Sequence, residues 1–155
     1  MMDRDEIYMR KALELAELAA GQGEVPVGAI VVKRSTGEIV GRGFNRREYG
    51  RSPITHAEIV AIETASRKLG GWRLIDCELY VTLEPCPMCA GAIINSRIQR
   101  VVFGAADPKA GSCGSVVNLF ELPFNHKPEF IGGVLERECS QLLSDFFKKL
   151  RESKK

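Results

Sequence analysis

No stretch of this 155-residue chain is apolar for long enough to cross a bilayer. The longest apolar run covers residues 25–32 and is interrupted by Pro26 and Gly28. A membrane helix needs roughly 20 apolar residues. A secretory signal begins with a basic segment that an apolar segment follows. The first residues of this chain are acidic instead, so we expect no secretory signal. Because repeats, linkers and low-complexity tracts are also lacking, we expect one soluble domain over residues 1–155, without membrane association.

The sequence also lacks an even set of regularly spaced cysteines. It has five of them, and their spacing is uneven. A disulfide framework in a small secreted protein uses paired cysteines, so this number and spacing argue against one. We therefore expect a reducing, cytoplasmic setting.

The chain has almost no excess of one sign of charge, since its formal net charge is only +2. Two segments depart from this balance. Residues 42–51 hold four arginines against one glutamate, and residues 148–155 hold five basic residues against one glutamate. The remaining residues therefore sum to −5. Two basic clusters on an acidic body indicate a local contact with a polyanion, although a solvated loop and a solubilising tail are the simpler alternative.

The order of elements predicts an α/β fold. Helical periodicity and capping signals predict helices over residues 3–20, 55–69, 86–96 and 136–151, with Thr55 capping the second. Apolar, β-branched runs predict strands over 27–33, 38–43, 79–82, 101–105 and 130–134. A turn at 34–37 joins the first two strands as a hairpin, and loops cover 44–53 and 107–115. This order predicts a three-layer α/β/α sandwich around a mixed sheet of about five strands.

The last predicted helix carries an apolar stripe. Its inward residues are expected to be Cys139, Leu142, Leu143, Phe146 and Leu150. The basic tail over residues 148–155 overlaps its end.

The residues best suited to chemistry form two short segments, His56-Ala57-Glu58 and Pro85-Cys86-Pro87-Met88-Cys89. Two cysteines three positions apart at a helix start can both reach one metal ion, and a histidine from another helix adds a third ligand. Structural zinc sites usually have four protein ligands, whereas catalytic sites have three and keep a position for water. The other cysteines lack a close metal-binding neighbour, so three ligands and a water are the economical set.

A zinc ion in such a site would supply a nucleophile at neutral pH. Both ligand segments lie at predicted helix starts, where the helix dipole favours thiolates. Zinc lowers the pKa of bound water from about 15.7 toward 7. Glu58 need not be a ligand, and its carboxylate can carry a proton from that water to a ring nitrogen and a departing amine. The arrangement suits hydrolytic removal of an amino group from an aromatic base.

Each segment alone has another explanation. A His-x-Glu pair near a helix start is usually capping or surface chemistry. A Cys-x-x-Cys pair can be a redox pair or part of a closed structural zinc site. A catalytically silent RNA-binding protein is a third alternative, which the presence of Glu58 disfavours. The two segments in this order, with proline before the first cysteine, favour a catalytic zinc site.

Together the segments form the pattern of zinc-dependent nucleobase deaminases. Beyond it, the whole chain resembles the bacterial tRNA-specific adenosine deaminases. The segments that carry the resemblance are 24–28, Asn45, 55–58, 83–92, 107–115 and 144–147. The zinc pattern alone also fits cytidine, cytosine and guanine deaminases. The 107–115 loop and the C-terminal Asp-Phe-Phe with its basic residues favour the tRNA enzymes.

The resemblance implies a cytidine deaminase-like fold. The reaction that it implies is the hydrolytic deamination of adenosine to inosine at the wobble position (34) of a tRNA anticodon, chiefly in an arginine tRNA. It also implies one Zn²⁺ per subunit, no organic cofactor, and a homodimer in which both subunits complete the site for the anticodon stem-loop. The alternative within the superfamily is a deaminase of a free base or nucleoside, such as guanine or cytosine.

The resemblance also assigns roles to individual residues. His56, Cys86 and Cys89 would hold the zinc, and Glu58 would move the protons. Asn45 is expected to hydrogen-bond the target nucleotide, because its amide has both donors and acceptors.

Four further residues are expected around the substrate. Asp107 would lie by the neighbouring sugar, where a carboxylate accepts a hydrogen bond from a 2′-hydroxyl. Val27 and Pro26 would wall the base pocket. Phe147 lies off the inward stripe of its helix and is expected either to stack on a loop base or to pack in the core.

Overall fold

The computed structural model describes residues 3–48 and 50–154. Lys155, the last residue of the predicted basic tail, lies outside the described residues. The helices are α1 (Arg4–Gly21), α2 (Ala57–Leu69), α3 (Pro87–Ser96) and α4 (Glu136–Ser153), with a short 3₁₀ helix at Leu119–Glu121. The strands are β1 (Gly28–Lys33), β2 (Ile39–Phe44), β3 (Cys77–Leu83), β4 (Arg100–Ala105) and β5 (Glu129–Ile131).

The five strands form one mixed sheet in the order β2-β1-β3-β4-β5. The hairpin strand β1 runs antiparallel to both β2 and β3, whereas β3, β4 and β5 are parallel. The carboxyl ends of β3 and β4 therefore lie beside the amino end of β1. Loops that follow β3 and β4 and precede β1 meet at this edge of the sheet.

Helices cover both faces of the sheet. The buried residues of α2 and α3 pack on one face of the sheet, against alternate residues of β1 and β3 that include Val31, Leu79 and Val81. The buried residues of α1 and α4 pack on the other face, against residues that include Ile30 and Tyr80. Successive residues of β1 and β3 thus point to opposite faces of the sheet, and both faces are buried. The predicted three-layer α/β/α architecture is confirmed.

Two glycines of β2 let α2 approach the sheet very closely. A Cβ atom at Gly41 would lie 2.2 Å from the carbonyl oxygen of Ala61, and one at Gly43 would lie 2.3 Å from that of Ala57. Real Cβ atoms do not approach backbone oxygens so closely, so a side chain at either position would push the helix away. The glycines thereby fix the position of the first turn of α2.

The structure corrects two details of the predicted helices. α2 begins at Ala57 with His56 as its N-cap, so Thr55 is not the cap. The amide of Ala57 instead donates to Asn45 Oδ1 at 2.9 Å, because the loop after β2 brings this asparagine to the helix start. Leu150 does not face inward; it is 40% exposed, in a stretch of α4 where residues 147–153 are all exposed. None of the helices in the described ranges combines the length and hydropathy of a bilayer span.

Candidate active site

The three expected metal ligands come together at the starts of two helices. His56 is the N-cap of α2 and Cys86 is the N-cap of α3, while Cys89 lies in the first turn of α3. Neither N-cap side chain makes a capping hydrogen bond, so both are available to a ligand. His56 Nδ1 lies 3.7 Å from Cys86 Sγ and 3.6 Å from Cys89 Sγ.

These distances fit a zinc ion. In a tetrahedral site, zinc lies about 2.3 Å from sulfur and about 2.0 Å from nitrogen, which places the nitrogen about 3.5 Å from each sulfur. The three ligand atoms lie within 4.8 Å of one another, so one ion can reach all three. A fourth position would remain for a water molecule or a substrate atom, as in catalytic sites.

The protonation of the two sulfurs also suits a cation. Hydrogen bonds from Cys89 and His56 lower the pKa of the Cys86 thiol to about 4, so this sulfur is a thiolate at neutral pH. Hydrogen bonding to Cys86 and burial raise the pKa of Cys89, so this thiol keeps the proton that it donates to Cys86. The N-terminus of α3 adds positive potential at both sulfurs. A divalent cation would take the place of this proton.

Glu58 lies beside this cluster, in the first turn of α2. Its side chain is buried, with 4% of the residue exposed. Burial raises the pKa of the Glu58 carboxyl from 4.5 to about 7. A carboxyl with such a pKa exchanges protons readily at neutral pH, as a general acid–base group must.

His56, Cys86 and Glu58 open into a cleft of about 470 Å³ at the edge of the sheet where the loops meet. This volume accommodates a nucleoside-sized ligand. The walls come from the segment before β1, the loop after β2, the loop after β4 and the C-terminal half of α4. The further lining residues are Val25, Val27, Asn45, Arg47, Leu83, Glu84, residues 106–110, Leu143 and Phe147.

Asn45 lies on the wall of the cleft and is buried. Its side-chain oxygen accepts the hydrogen bond from the Ala57 amide, so it caps α2. The group that Asn45 can offer to a ligand is therefore its NH₂ donor. One side chain thus links the cleft to the helix that begins next to His56.

Of the two residues expected to wall the base pocket, only Val27 lines the cleft. Pro26 is buried but does not line it, and Val25 takes that place. The Val27 amide donates to the Val25 carbonyl at 2.8 Å, which makes Pro26 the centre of a tight turn. In such a turn the flanking residues share one side and the central ring points elsewhere.

Asp107 and Phe147 both line the cleft. Asp107 Oδ1 accepts hydrogen bonds from the amides of Lys109 and Ala110, at 3.0 and 3.2 Å, and so shapes the start of its loop. Phe147 is 41% exposed and contacts the ring of Phe146 edge-on. Packing within the core, one of the two roles expected for Phe147, is therefore excluded.

Some lining residues were not among the sequence candidates. Arg47 and Lys109 bring positive charge to the cleft, and Glu84 connects β3 to the loop beyond β4. Arg47 belongs to the basic cluster at 42–51, which is the signal that could have identified it. For Lys109 and Glu84 the signal is their position within segments 107–115 and 83–92, since charge alone does not distinguish them from surface residues.

A helix-covered mixed sheet with one histidine and two cysteines at two helix starts, and a buried glutamate beside them, defines a zinc-dependent deaminase. Residues 2–105 match the family model of the cytidine and deoxycytidylate deaminase zinc-binding region. The zinc prediction is thereby confirmed.

Curated and solved relatives narrow the class. The chain is 52% identical to the tRNA-specific adenosine deaminase of Bacillus subtilis (strain 168), over 99% of this chain and 95% of the relative. A solved structure of a tRNA:A34 deaminase, from a study of A-to-I editing at the wobble position of transfer RNA, superposes with a TM-score of 0.84. It is 41% identical and covers 88% of this chain and 99% of its own.

A guanine deaminase from Nitrosomonas europaea shares the fold at lower identity. Its TM-score is 0.78 and its identity 26%, over 94% of this chain and 86% of its own. The chain belongs to the family of tRNA-specific adenosine deaminases, and the resemblance inferred from the sequence is confirmed.

Proposed function

We propose that this protein deaminates adenosine to inosine at the wobble position of a tRNA anticodon. One observation carries the proposal: the His56, Cys86 and Cys89 cluster opens, through His56 and Cys86, into a cleft of nucleoside size that the buried Glu58 also lines and that basic and aromatic side chains border. The family supplies the reaction. We place it in the cytoplasm, where tRNA is the available substrate, and it uses no organic cofactor.

In the reaction, water adds to C6 of adenosine and the C6–N6 bond breaks, so the products are inosine and ammonia. His56, Cys86 and Cys89 would hold the zinc ion, which when bound would act as a Lewis acid and make water nucleophilic at neutral pH. Glu58 accepts a proton from the attacking water and delivers it to the ring nitrogen N1. The same carboxylate then carries the second proton to the departing amine. The burial of Glu58 supports this role.

The other residues of the cleft position the nucleotide. The NH₂ group of Asn45 donates to an acceptor on the target, and Val27 packs against the base. Asp107 accepts a hydrogen bond from a neighbouring 2′-hydroxyl, a contact that distinguishes RNA from DNA. Phe147, exposed at the mouth of the cleft, stacks on a loop base, a contact typically worth about 1–3 kcal/mol.

The substrate is an anticodon stem-loop rather than a free base. A base in a paired stem cannot reach a buried ion, whereas a loop base unstacks at low cost. The decisive comparison measures inosine formation in a stem-loop against turnover of free guanine, cytosine and adenosine. Incubation with total tRNA and sequencing then identifies the isoacceptor, for which we expect an arginine tRNA. Turnover of a free base or nucleoside that does not depend on salt would refute the RNA substrate.

Arg47 is expected to contact a phosphate of the stem-loop, outside the reacting ring. Because Arg47→Ala removes this contact, it should raise KM for the stem-loop about fivefold and leave kcat nearly unchanged. The slope of log(kcat/KM) against log salt should fall in magnitude by about 1. Steady-state kinetics at several salt concentrations measure both. Arg67→Ala is the matched control, since the Arg67 side chain is 81% exposed in the later half of α2. Equal KM and slope in the Arg47 variant and the wild type would contradict the contact.

The protein is proposed to act as a homodimer. Residues 116–124, which follow the 107–115 loop, expose four large apolar side chains: Val116, Val117, Leu122 and Phe124. Exposed apolar residues concentrated in one segment are typical of a protein interface. Sedimentation equilibrium should give a mass twice the 17.1 kDa of the chain, and Phe124→Asp should shift it toward the monomer. A monomer for the wild type at all concentrations would exclude the dimer.

A further inference from the structure

Glu84 occupies an unusual position for a carboxylate. It directly follows β3 and precedes Pro85 and Cys86, and only 2% of its surface is exposed. A buried carboxylate is costly unless hydrogen bonds satisfy its oxygens. None of the ion pairs among the described residues involves Glu84. Its partners therefore explain why it is there.

The hydrogen bonds to the Glu84 carboxylate all come from the loop after β4. Oε1 accepts hydrogen bonds from the Asp107 amide at 3.0 Å and from the Ser115 hydroxyl. Oε2 accepts from the amides of Cys113 and Ser115, at 2.9 and 3.1 Å. One carboxylate thus binds both ends of residues 107–115.

The loop closes tightly around this carboxylate. A Cβ atom at Gly111 would lie 2.3 Å from Glu84 Cδ and 2.5 Å from the carbonyl oxygen of Asp107. The Gly111 amide donates to that same oxygen at 2.8 Å. Only a residue without a side chain fits there, so the backbone wraps the Glu84 carboxylate in one defined conformation.

This loop forms one wall of the cleft. Residues 107–110 line it, and the first of them, Asp107, has its amide bonded to Glu84 and its carboxylate bonded to the next turn. The positions of Asp107 and Lys109 therefore depend on a residue that precedes the expected metal ligand Cys86 by two positions. Glu84 joins the metal end of α3 to the wall that faces the substrate.

We infer that Glu84 is a positioning residue for substrate binding, which holds the 107–115 loop so that Asp107 and Lys109 meet the nucleotides flanking the target adenosine. This inference rests on the proposed function. Both oxygens of Glu84 are taken up by hydrogen bonds to the loop, so this residue acts through the loop. Because the loop contacts lie outside the reacting ring, their loss weakens substrate and transition state alike, which raises KM and spares kcat.

Glu84→Gln is the sharpest test, because it keeps the shape and removes the charge. The glutamine NH₂ group faces amide and hydroxyl donors and cannot accept from them. KM for the stem-loop should rise about tenfold, with kcat changed by less than about threefold and zinc content equal to that of the wild type. Ser115→Ala, which removes the hydroxyl contact alone, should raise KM by a smaller factor. Glu63, whose side chain is 58% exposed on α2, gives the matched control Glu63→Gln, which should change neither parameter.

Hydrogen exchange without substrate supplies an independent readout. The amides of Asp107, Cys113 and Ser115 should exchange at least about tenfold faster in Glu84→Gln, while amides paired between β3 and β4 keep their rates. If the Gln variant loses zinc or fails to fold, Ser115→Ala alone decides by the same two measurements. Unchanged exchange and unchanged KM in the testable variants would overturn the inference. A wild type that does not deaminate the stem-loop would instead overturn the proposed function, and the exchange result would still stand.

Discussion

The Glu58→Gln variant is expected to lose about 10³–10⁴-fold in kcat for deamination of the stem-loop, and KM should change little. Glutamine has the size of glutamate but cannot accept a proton from water or deliver one to N1 and to the amine. Both transfers depend on the same buried carboxylate, so no second group takes over. Stopped-time assays that quantify inosine, with zinc analysis of the same preparation, measure the loss. We expect about one zinc ion per chain in the variant.

Glu63→Gln provides the matched control for this substitution. Glu63 lies on the same helix, but its side chain is 58% exposed and pairs with Arg67 one turn further on. It should keep full activity and an unchanged thermal midpoint. A Glu58→Gln enzyme with more than a tenth of the wild-type kcat would mean that another group moves the protons.

Cys86→Ala is expected to lower the zinc content from about one per chain to near zero and to abolish detectable deamination. The substitution leaves one histidine and one cysteine, which is too few for a stable zinc site, where three or four protein ligands are usual. Metal analysis by mass spectrometry is the primary readout, because it does not depend on activity. In the wild type, a strong chelator should remove both metal and activity, and added zinc should restore both.

Cys77→Ala separates the role of the ligand from the loss of any cysteine. Cys77 is buried at the start of β3, and burial raises the pKa of its thiol to about 11, so it remains a neutral packing group. The variant should lose about 1 kcal/mol of stability and keep its zinc. Full zinc content in Cys86→Ala would show that the metal site has been assigned to the wrong residues.

The elements that bring the ligands together could be predicted because their signals are local. The spacing of Cys86 and Cys89 lets both sulfurs reach one ion at a helix start, and a helix begins there. Apolar, β-branched runs likewise predicted all five strands to within a few residues. These features depend on neighbours in sequence, which a single chain reports directly.

The remaining parts of the site depend on contacts that are distant in sequence. Thr55 is a typical capping residue by its chemistry. The amide of Ala57, at the start of α2, instead donates to Asn45, which reaches it across the loop. Leu150 continues the apolar stripe of α4 by its spacing, yet the last turns of this helix are exposed. In the sequence, Glu84 cannot be distinguished from a surface acidic residue. Only the fold shows that residues 23 to 31 positions later surround its carboxylate. Periodicity contains no information on such pairings.

The bare backbone at Gly41 and Gly43 bears on how this enzyme could be given a new substrate. The helix that begins after His56 rests on those two positions, so residues added there would shift the metal ligand and Glu58 as one rigid unit. Directed evolution toward other nucleobases should therefore accept changes in the rim loops, at positions 46–48 and 106–110, far more often than in this strand. Deep mutational scanning would display that contrast as a sharp boundary between β2 with Asn45 and the positions from 46 onward.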